Sequence, residues 1–254
     1  MTWLLVAALA AAGLVIGWGL RTAVFRLAVP SGEPLVRACP DCGQEVLAAR
    51  RAPWLALSPA ALSPAGRCPA CRARIGPPPL AIELVTAVLF GGLAAWVRPG
   101  LVLAAASWLA LCAVALAWID AAVQRLPDAL TAPAYAGTAV FLLLAAATSG
   151  HWGDLARAVL GGLALAAAYL VFTVVSRSAL GLGDVKLAAS LGTLLAWFGW
   201  RTLIAGTVAG FLLGGLYGIG LLLARRATRT QRIPFGPFMI AGAFLAILVS
   251  SAAV

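Results

Sequence analysis

The sequence predicts an all-α, polytopic membrane protein of about eight transmembrane helices with one small polar loop domain. Three observations carry that prediction. The chain of 254 residues is 63% hydrophobic and only 10% charged, against about 45–50% and 25% in a soluble domain. It divides into apolar runs near the twenty residues a helix needs to cross the hydrocarbon core. Its basic residues gather between those runs rather than along one face.

The runs lie at 2–20, 79–97, 101–119, 132–149, 157–175, 185–200, 203–223 and 236–253. Backbone groups in lipid must be satisfied within their own segment, and no run alternates as a barrel strand does, so the spans are helices. The sixth is short and its ends are the least defined. Three regions follow: residues 1–20 as a first transmembrane helix, 21–78 as a loop domain, and 79–254 as a seven-helix membrane domain. The first run lacks a basic n-region and exceeds the h-region of a signal peptide, and Arg21 and Arg26 follow it. A retained helix with its N-terminus outside is the expectation, a cleaved signal the alternative.

Charge orients the bundle. With the N-terminus outside, the inner loops are 21–78, 120–131, 176–184 and 224–235. They and their flanks hold fifteen of the eighteen basic residues; only Arg98, Arg157 and Arg201 fall elsewhere. That is a strong positive-inside bias, and both ends of the chain then face outward. The net charge of +10 is therefore a topology signal, and no nucleic-acid partner is implied.

The loop 21–78 carries Cys39-Pro-Asp-Cys42 and Cys68-Pro-Ala-Cys71. Two such knuckles supply the four thiolates of a closed, structural tetrahedral zinc site. Two disulfides or a redox pair are the alternatives. A cytoplasmic loop disfavours disulfides, and the βαβ context of a thioredoxin motif is absent. Cys112, alone in the third span, reads as a small buried hydrophobe.

Acidic residues number eight, and His151 is the only histidine. A single histidine removes Ser-His-Asp and Cys-His mechanisms and leaves carboxylates as the acid–base groups. Glu33, Asp41 and Glu45 are solvated loop residues on this reading. Glu83 either reaches water from the second span or supports a site. Asp154, beside His151 on the outer side, reads as a cap of the fifth helix.

Asp120 closes the third span and Asp184 opens the sixth, in Gly181-Leu182-Gly183-Asp184-Val185-Lys186. Topology places both at the inner face. Paired carboxylates share a proton, so one can activate water while the other donates to a carbonyl. From topology alone, Asp184 as an N-cap and Asp120 as an interfacial residue fit equally well. Asp128 precedes the fourth span at an N-cap position and is the rival to Asp120. Helix dipoles and the nearby Lys186 favour the anion at Asp184, which predicts that the shared proton rests on Asp120.

Five blocks in order resemble the prepilin peptidase family, also called type IV leader peptidases, which are GxGD-type intramembrane aspartic proteases. They are the two CxxC knuckles, the segment Gly76–Phe90 with Glu83-Leu84-Val85-Thr86, the block Asp120–Thr131, the block Gly181–Lys186, and Ile233-Pro234-Phe235-Gly236-Pro237-Phe238. The resemblance implies a membrane aspartic endopeptidase that removes the basic leader of type IV prepilins or pseudopilins, in pilus assembly and protein secretion. It places the two catalytic aspartates on Asp120 and Asp184, with Gly181, Gly183, Lys186 and Asp128 in support. Gly181 and Gly183 leave room for a substrate strand, their alternative being a plain helix-start loop. The resemblance also implies a second activity, N-methylation of the new N-terminus with S-adenosylmethionine. No glycine-rich fingerprint marks a site for that cofactor, and Arg21 stands where the family's stretch has Asn. Two other readings compete: a transporter using the aspartates as ion sites, and a non-catalytic assembly factor. The first would need midplane carboxylates and repeated broken helices, which the sequence lacks.

Overall fold

The structure, a computed structural model, describes residues 2–30, 32–46, 66–98, 100–176, 181–224 and 233–252. Of the basic residues assigned to inner loops, Arg50, Arg51, Arg177, Arg225, Arg226, Arg229 and Arg232 lie outside these, as does the end of the eighth apolar run.

Eight helices stand among the described residues: α1 (Thr2–Leu27), α2 (Ala81–Trp96), α3 (Leu101–Val123), α4 (Asp128–Ser149), α5 (Trp152–Ser176), α6 (Leu182–Phe198), α7 (Trp200–Leu223) and α8 (Gly236–Ala252). Five of them, α1, α3, α4, α5 and α7, are long and apolar enough to cross a membrane. The others have 16, 17 and 17 residues for α2, α6 and α8, short of a full lipid-facing span. For α6 burial is the reason. Almost every side chain from Leu187 to Trp197 is enclosed, so its length need not match the thickness of a bilayer.

Helix ends differ from the apolar runs where polar residues continue a helix. The first helix runs on to Leu27, carrying Arg21 and Arg26 inside it, and α3 continues one turn past Asp120. Similarly, α6 begins at Leu182, so Asp184 lies within its first turn. Hydropathy reports where lipid ends; hydrogen bonding decides where a helix ends.

The bundle is organised around α3, the most enclosed of the long helices, which touches α1, α2, α4, α6 and α8. The tightest pairs are α1 with α2, α5 with α6, and α7 with α8. Small residues make such closeness possible where no hydrophobic force separates helix from lipid. At Gly17 an added Cβ would lie 2.6 Å from the Glu83 Cα, so α1 and α2 touch backbone to backbone there. Large apolar side chains on α5 and α7, such as Val174, Leu160, Leu216 and Ile204, face outward, as the lipid side of a bundle requires.

The closeness of α1 and α2 aligns Arg21 with Glu83, whose side chains form a buried ion pair at 3.0 Å. Of the two readings of Glu83, the one reaching water is thereby set aside. On the opposite face, Asp154 is not a cap. It sits in the first turn of α5 and pairs with Arg157 at 2.8 Å. Arg157 in turn donates to the Ala196 and Trp197 carbonyls at 2.7 and 2.6 Å, placing a positive charge on the last carbonyls of α6.

Candidate active site and metal centre

Two aspartates are buried at one end of the bundle. Asp120 is 6% exposed and Asp184 9%. Each is placed by a different helix terminus. After Asp120, α3 makes one more turn and is closed by Gln124 in the left-handed conformation (φ 52°), whose N–H donates to the Asp120 carbonyl at 2.8 Å. Leu126-Pro127 then leads directly into α4. At the far end of the chain, Pro234 and Phe235 precede Gly236, the first residue of α8. The Gly236 N–H has no carbonyl partner in its own helix and donates to Asp120 Oδ2 at 2.9 Å. Glycine is required there, because an added Cβ would lie 2.9 Å from that same oxygen.

Asp184 is held differently. It is the third residue of α6, and its Oδ2 accepts the Gly181 N–H at 2.8 Å. Its own N–H donates back to the Gly181 carbonyl at 3.0 Å. This reciprocal pair caps α6, so the structural role considered for Asp184 is present, with Gly181 rather than Asp184 at the cap position. Both carboxylates thus face a helix N-terminus, where N–H groups and the dipole favour negative charge. Neither Oδ1 hydrogen-bonds to a described residue, and the two groups lie close enough for the charge of Asp184 to act at Asp120.

The proton-placement argument changes accordingly. It opposed a helix C-terminus at Asp120 to a helix N-terminus and Lys186 at Asp184. In the fold, the start of α8 points at Asp120, and Lys186 Nζ goes to Asp128 Oδ1 at 2.5 Å. Dipoles therefore no longer separate the two aspartates. Nor does Asp128 cap α4: Pro127 holds the cap position and Asp128 is the first helical residue. Its side chain is 72% exposed in the pair with Lys186, outside the buried pair.

The two motif glycines part company. A Cβ on Gly183 would lie 2.8 Å from Leu126 Cβ, so its missing side chain is used internally by the α3–α4 connection. At Gly181 the nearest atom to such a Cβ is 3.8 Å away, which leaves that residue open. One residue that the motifs did not single out completes the surroundings. Tyr169 of α5 is 2% exposed, its ring 6.2 Å from Phe235, with its phenol within reach of the Asp184 charge. A tyrosine in a run of alanine, leucine and valine was the available signal.

The cysteines converge beside the end of α1, where Cys39 and Cys68 pack with Phe25. Each knuckle repeats one pattern: Cys39 N–H to the Gln44 carbonyl and Gly43 N–H back to Cys39, then Cys68 N–H to Ala73 and Arg72 N–H back to Cys68, at 2.8 and 3.0 Å in both. Gly43 and Arg72 hold the equivalent left-handed turn. The four Sγ atoms lie within 4.8 Å of one another. The short separations, 3.7 Å, run between knuckles, Cys39 to Cys71 and Cys42 to Cys68. No disulfide joins them, and a CxxC redox pair would bring together the two thiols of one knuckle. A tetrahedral ion with bonds of about 2.3 Å sets its sulfurs about 3.8 Å apart. The cluster can therefore hold a metal ion. The Cys71 N–H, with that of Ala70, draws the Cys68 thiol down to about 7, toward the thiolate that a metal needs.

Known proteins carry the same pattern. The model described as the type IV leader peptidase family matches residues 103–219, a stretch that includes both buried aspartates. The prepilin leader peptidase/N-methyltransferase of Aeromonas salmonicida is 35% identical over 218 residues, 83% of this chain and 70% of that protein. Its Pseudomonas aeruginosa counterpart is 32% identical over 238 residues, 90% and 74% of the two chains. That of Burkholderia pseudomallei is 33% identical over 227 residues, 86% and 67%. No solved structure matches the chain. On this identity over most of both lengths, the chain belongs to the type IV leader peptidase family.

Proposed function

We propose that this protein is a membrane-embedded aspartic endopeptidase that removes the basic leader of type IV prepilins or pseudopilins at the inner face of the bacterial cytoplasmic membrane. One observation carries the reading: two buried carboxylates, each with Oδ2 fixed by a helix-terminal N–H and Oδ1 without a hydrogen bond to any described residue. Such a pair needs no other catalytic group. One aspartate takes a proton from water as the oxygen attacks the scissile carbonyl and later passes it to the leaving amine; the other, protonated, donates to the carbonyl oxygen and recovers that proton as the carbonyl re-forms. Gly236 and Gly181 keep the carboxylates oriented through this cycle. Tyr169 and Phe235 wall the site against lipid. Gly181 gives an extended substrate backbone its approach, and the exposed Asp128–Lys186 pair stands at the rim. The four cysteines hold zinc as a structural ion that folds the loop.

The relatives' second activity is proposed here too. Among the buried side-chain polar atoms that hydrogen-bond to no described residue are Arg26 Nε and Glu83 Oε2. Their charges suit the carboxylate and the cationic centres of S-adenosylmethionine, which supplies an electrophilic methyl group when bound. Arg26 and Glu83 would hold it beside the zinc loop.

The test is cleavage of a full-length precursor by the purified protein in lipid, with products weighed by mass spectrometry in the presence of S-adenosylmethionine. Wild type is compared with Asp120→Asn, Asp184→Asn and Asp128→Asn. The first two should lose at least about a hundredfold in rate, as removal of an acid–base group does, and Asp128→Asn should stay active. An active Asp120→Asn would end the paired-aspartate mechanism. Methylation appears as a mature product heavier by one methyl group.

A further inference from the structure

Arg125 belongs to the basic residues that orient the bundle, but its side chain is engaged within the protein. It stands in the connection between α3 and α4, with Asp128 only three residues on. That carboxylate is taken by Lys186, and among the described residues no carboxylate forms an ion pair with Arg125. Its Nη1 donates instead to the carbonyls of Val29 and Pro30, at 3.1 Å each. Both carbonyls lie just past the end of α1, where the cysteine loop begins.

The loop is seated on that segment. The Val36 N–H donates back to the Arg26 carbonyl at 3.2 Å, and Val36 packs with Phe25, Cys39 and Cys68. On its other side the α3–α4 connection touches the backbone around both aspartates. It opens with Gln124, whose N–H closes on the Asp120 carbonyl. Leu126, 8% exposed, lies over Gly183, where an added Cβ would come within 2.8 Å of the Leu126 Cβ. Gly183 in turn sits inside the turn closed by the bond from the Gly181 N–H to Asp184 Oδ2. Adjacent residues of one short connection thus hold two different parts, Arg125 the entry of the cysteine loop and Leu126 the turn of Asp184. Apolar contacts join the same parts, since Ala28 and Leu35 pack on one cluster with Val123 and Leu130. Such contacts are non-directional and permit sliding; hydrogen bonds to two successive carbonyls fix a register.

We propose that Arg125 is a positioning residue for the aspartate pair, tying the entry of the cysteine loop to the α3–α4 connection so that a folded, metal-loaded loop keeps the turn of Asp184 in place. The inference rests on the peptidase reading and adds to it a dependence of the aspartates on the loop. When the Arg125 bonds are removed, or the loop loses its metal and unfolds, Leu126 is free to shift and the turn from Gly181 to Asp184 loosens. Both changes act through one link, so the second adds little once the first is made.

The experiment compares wild type, Arg125→Met and Arg125→Lys as full chains in lipid, each with and without a zinc chelator. Two readouts are taken: cleavage of a full-length precursor, and amide hydrogen exchange of residues 181–186 by mass spectrometry, with residues 149–152 at the opposite end of the bundle as control. Arg125→Met keeps the stem and loses the donors. It should lower kcat about tenfold with KM nearly unchanged, the scale of a reacting group displaced by part of an ångström, and speed exchange in 181–186 alone. Arg125→Lys keeps a cationic donor and should stay within about threefold of wild type. Chelation should reproduce both effects in wild type and add little to Arg125→Met. Wild-type turnover in Arg125→Met would overturn the proposal, as would chelation that leaves 181–186 unchanged in wild type or loosens it equally in both proteins. If wild type cuts no precursor, the peptidase reading falls by itself, and the exchange comparison still decides whether Arg125 links the loop to α6.

Discussion

Gly236 tests the site more sharply than either aspartate, because its replacement leaves every titratable group in place. In Gly236→Ala the new methyl would lie 2.9 Å from Asp120 Oδ2, 3.3 Å from its Cγ and 3.6 Å from its Cβ. Carbon and oxygen in ordinary contact stay about 3.3 Å or more apart, so the carboxylate must give way by about half an ångström or surrender the 2.9 Å bond from the Gly236 N–H. A hydrogen bond to a charged group is worth about 1.5–3 kcal/mol, and a displacement of about 1 Å at a reacting group costs up to about a hundredfold. We therefore expect kcat to fall about 10- to 100-fold with KM nearly unchanged. Stability should move the other way or not at all, since alanine favours a helix over glycine by up to about 1 kcal/mol. The assay is precursor cleavage in lipid, paired with thermal unfolding. Gly215→Ala, on an open part of α7 with nothing within 4 Å, is the control and should cut normally. Wild-type turnover in Gly236→Ala would refute the idea that this contact orients Asp120 for catalysis.

Three further outcomes are expected. Glu83→Gln should destabilise the fold by about 3–5 kcal/mol, because it removes one half of a buried ion pair formed at 3.0 Å; a double change of Arg21→Met with Glu83→Leu should restore much of that loss in thermal unfolding. The four-cysteine cluster should yield one zinc equivalent per chain by elemental analysis. Stripping it with a chelator should open the knuckles to protease while the helical signal of the bundle persists, since zinc binding and folding of such loops are one equilibrium. Arg157→Met should cost about 1–2 kcal/mol through the two lost carbonyl contacts at the end of α6, read as a lower unfolding temperature.

Much of the architecture was legible in the residues. Apolar runs identified eight helices because a membrane demands continuous hydrophobic length, and a continuous property is visible along a chain. The knuckles were legible for a similar reason: Cys39 with Cys42, and Cys68 with Cys71, are local pairs whose spacing alone brings thiolates together. Asp120 and Asp184 stood out as charges at the ends of apolar runs. Where a helix ended was less legible. Arg21 and Arg26 continue α1 because the loop and Glu83 enclose them, and hydropathy sees only that they are polar.

Decisions made by tertiary structure concern partners distant in sequence. Nothing near Asp120 announces that Gly236 will hold it, since the two meet only when α8 returns to α3. Lys186 lies beside Asp184 in sequence, yet its ammonium reaches Asp128 on another helix. Gly183 sits in the motif, yet Leu126 fills its open side. Local sequence, then, determined which segments form apolar helices and which acidic and thiol groups they carry. The fold decided which helix terminus faces which carboxylate, because hydrogen bonds of about 3 Å depend on positions that many residues set jointly.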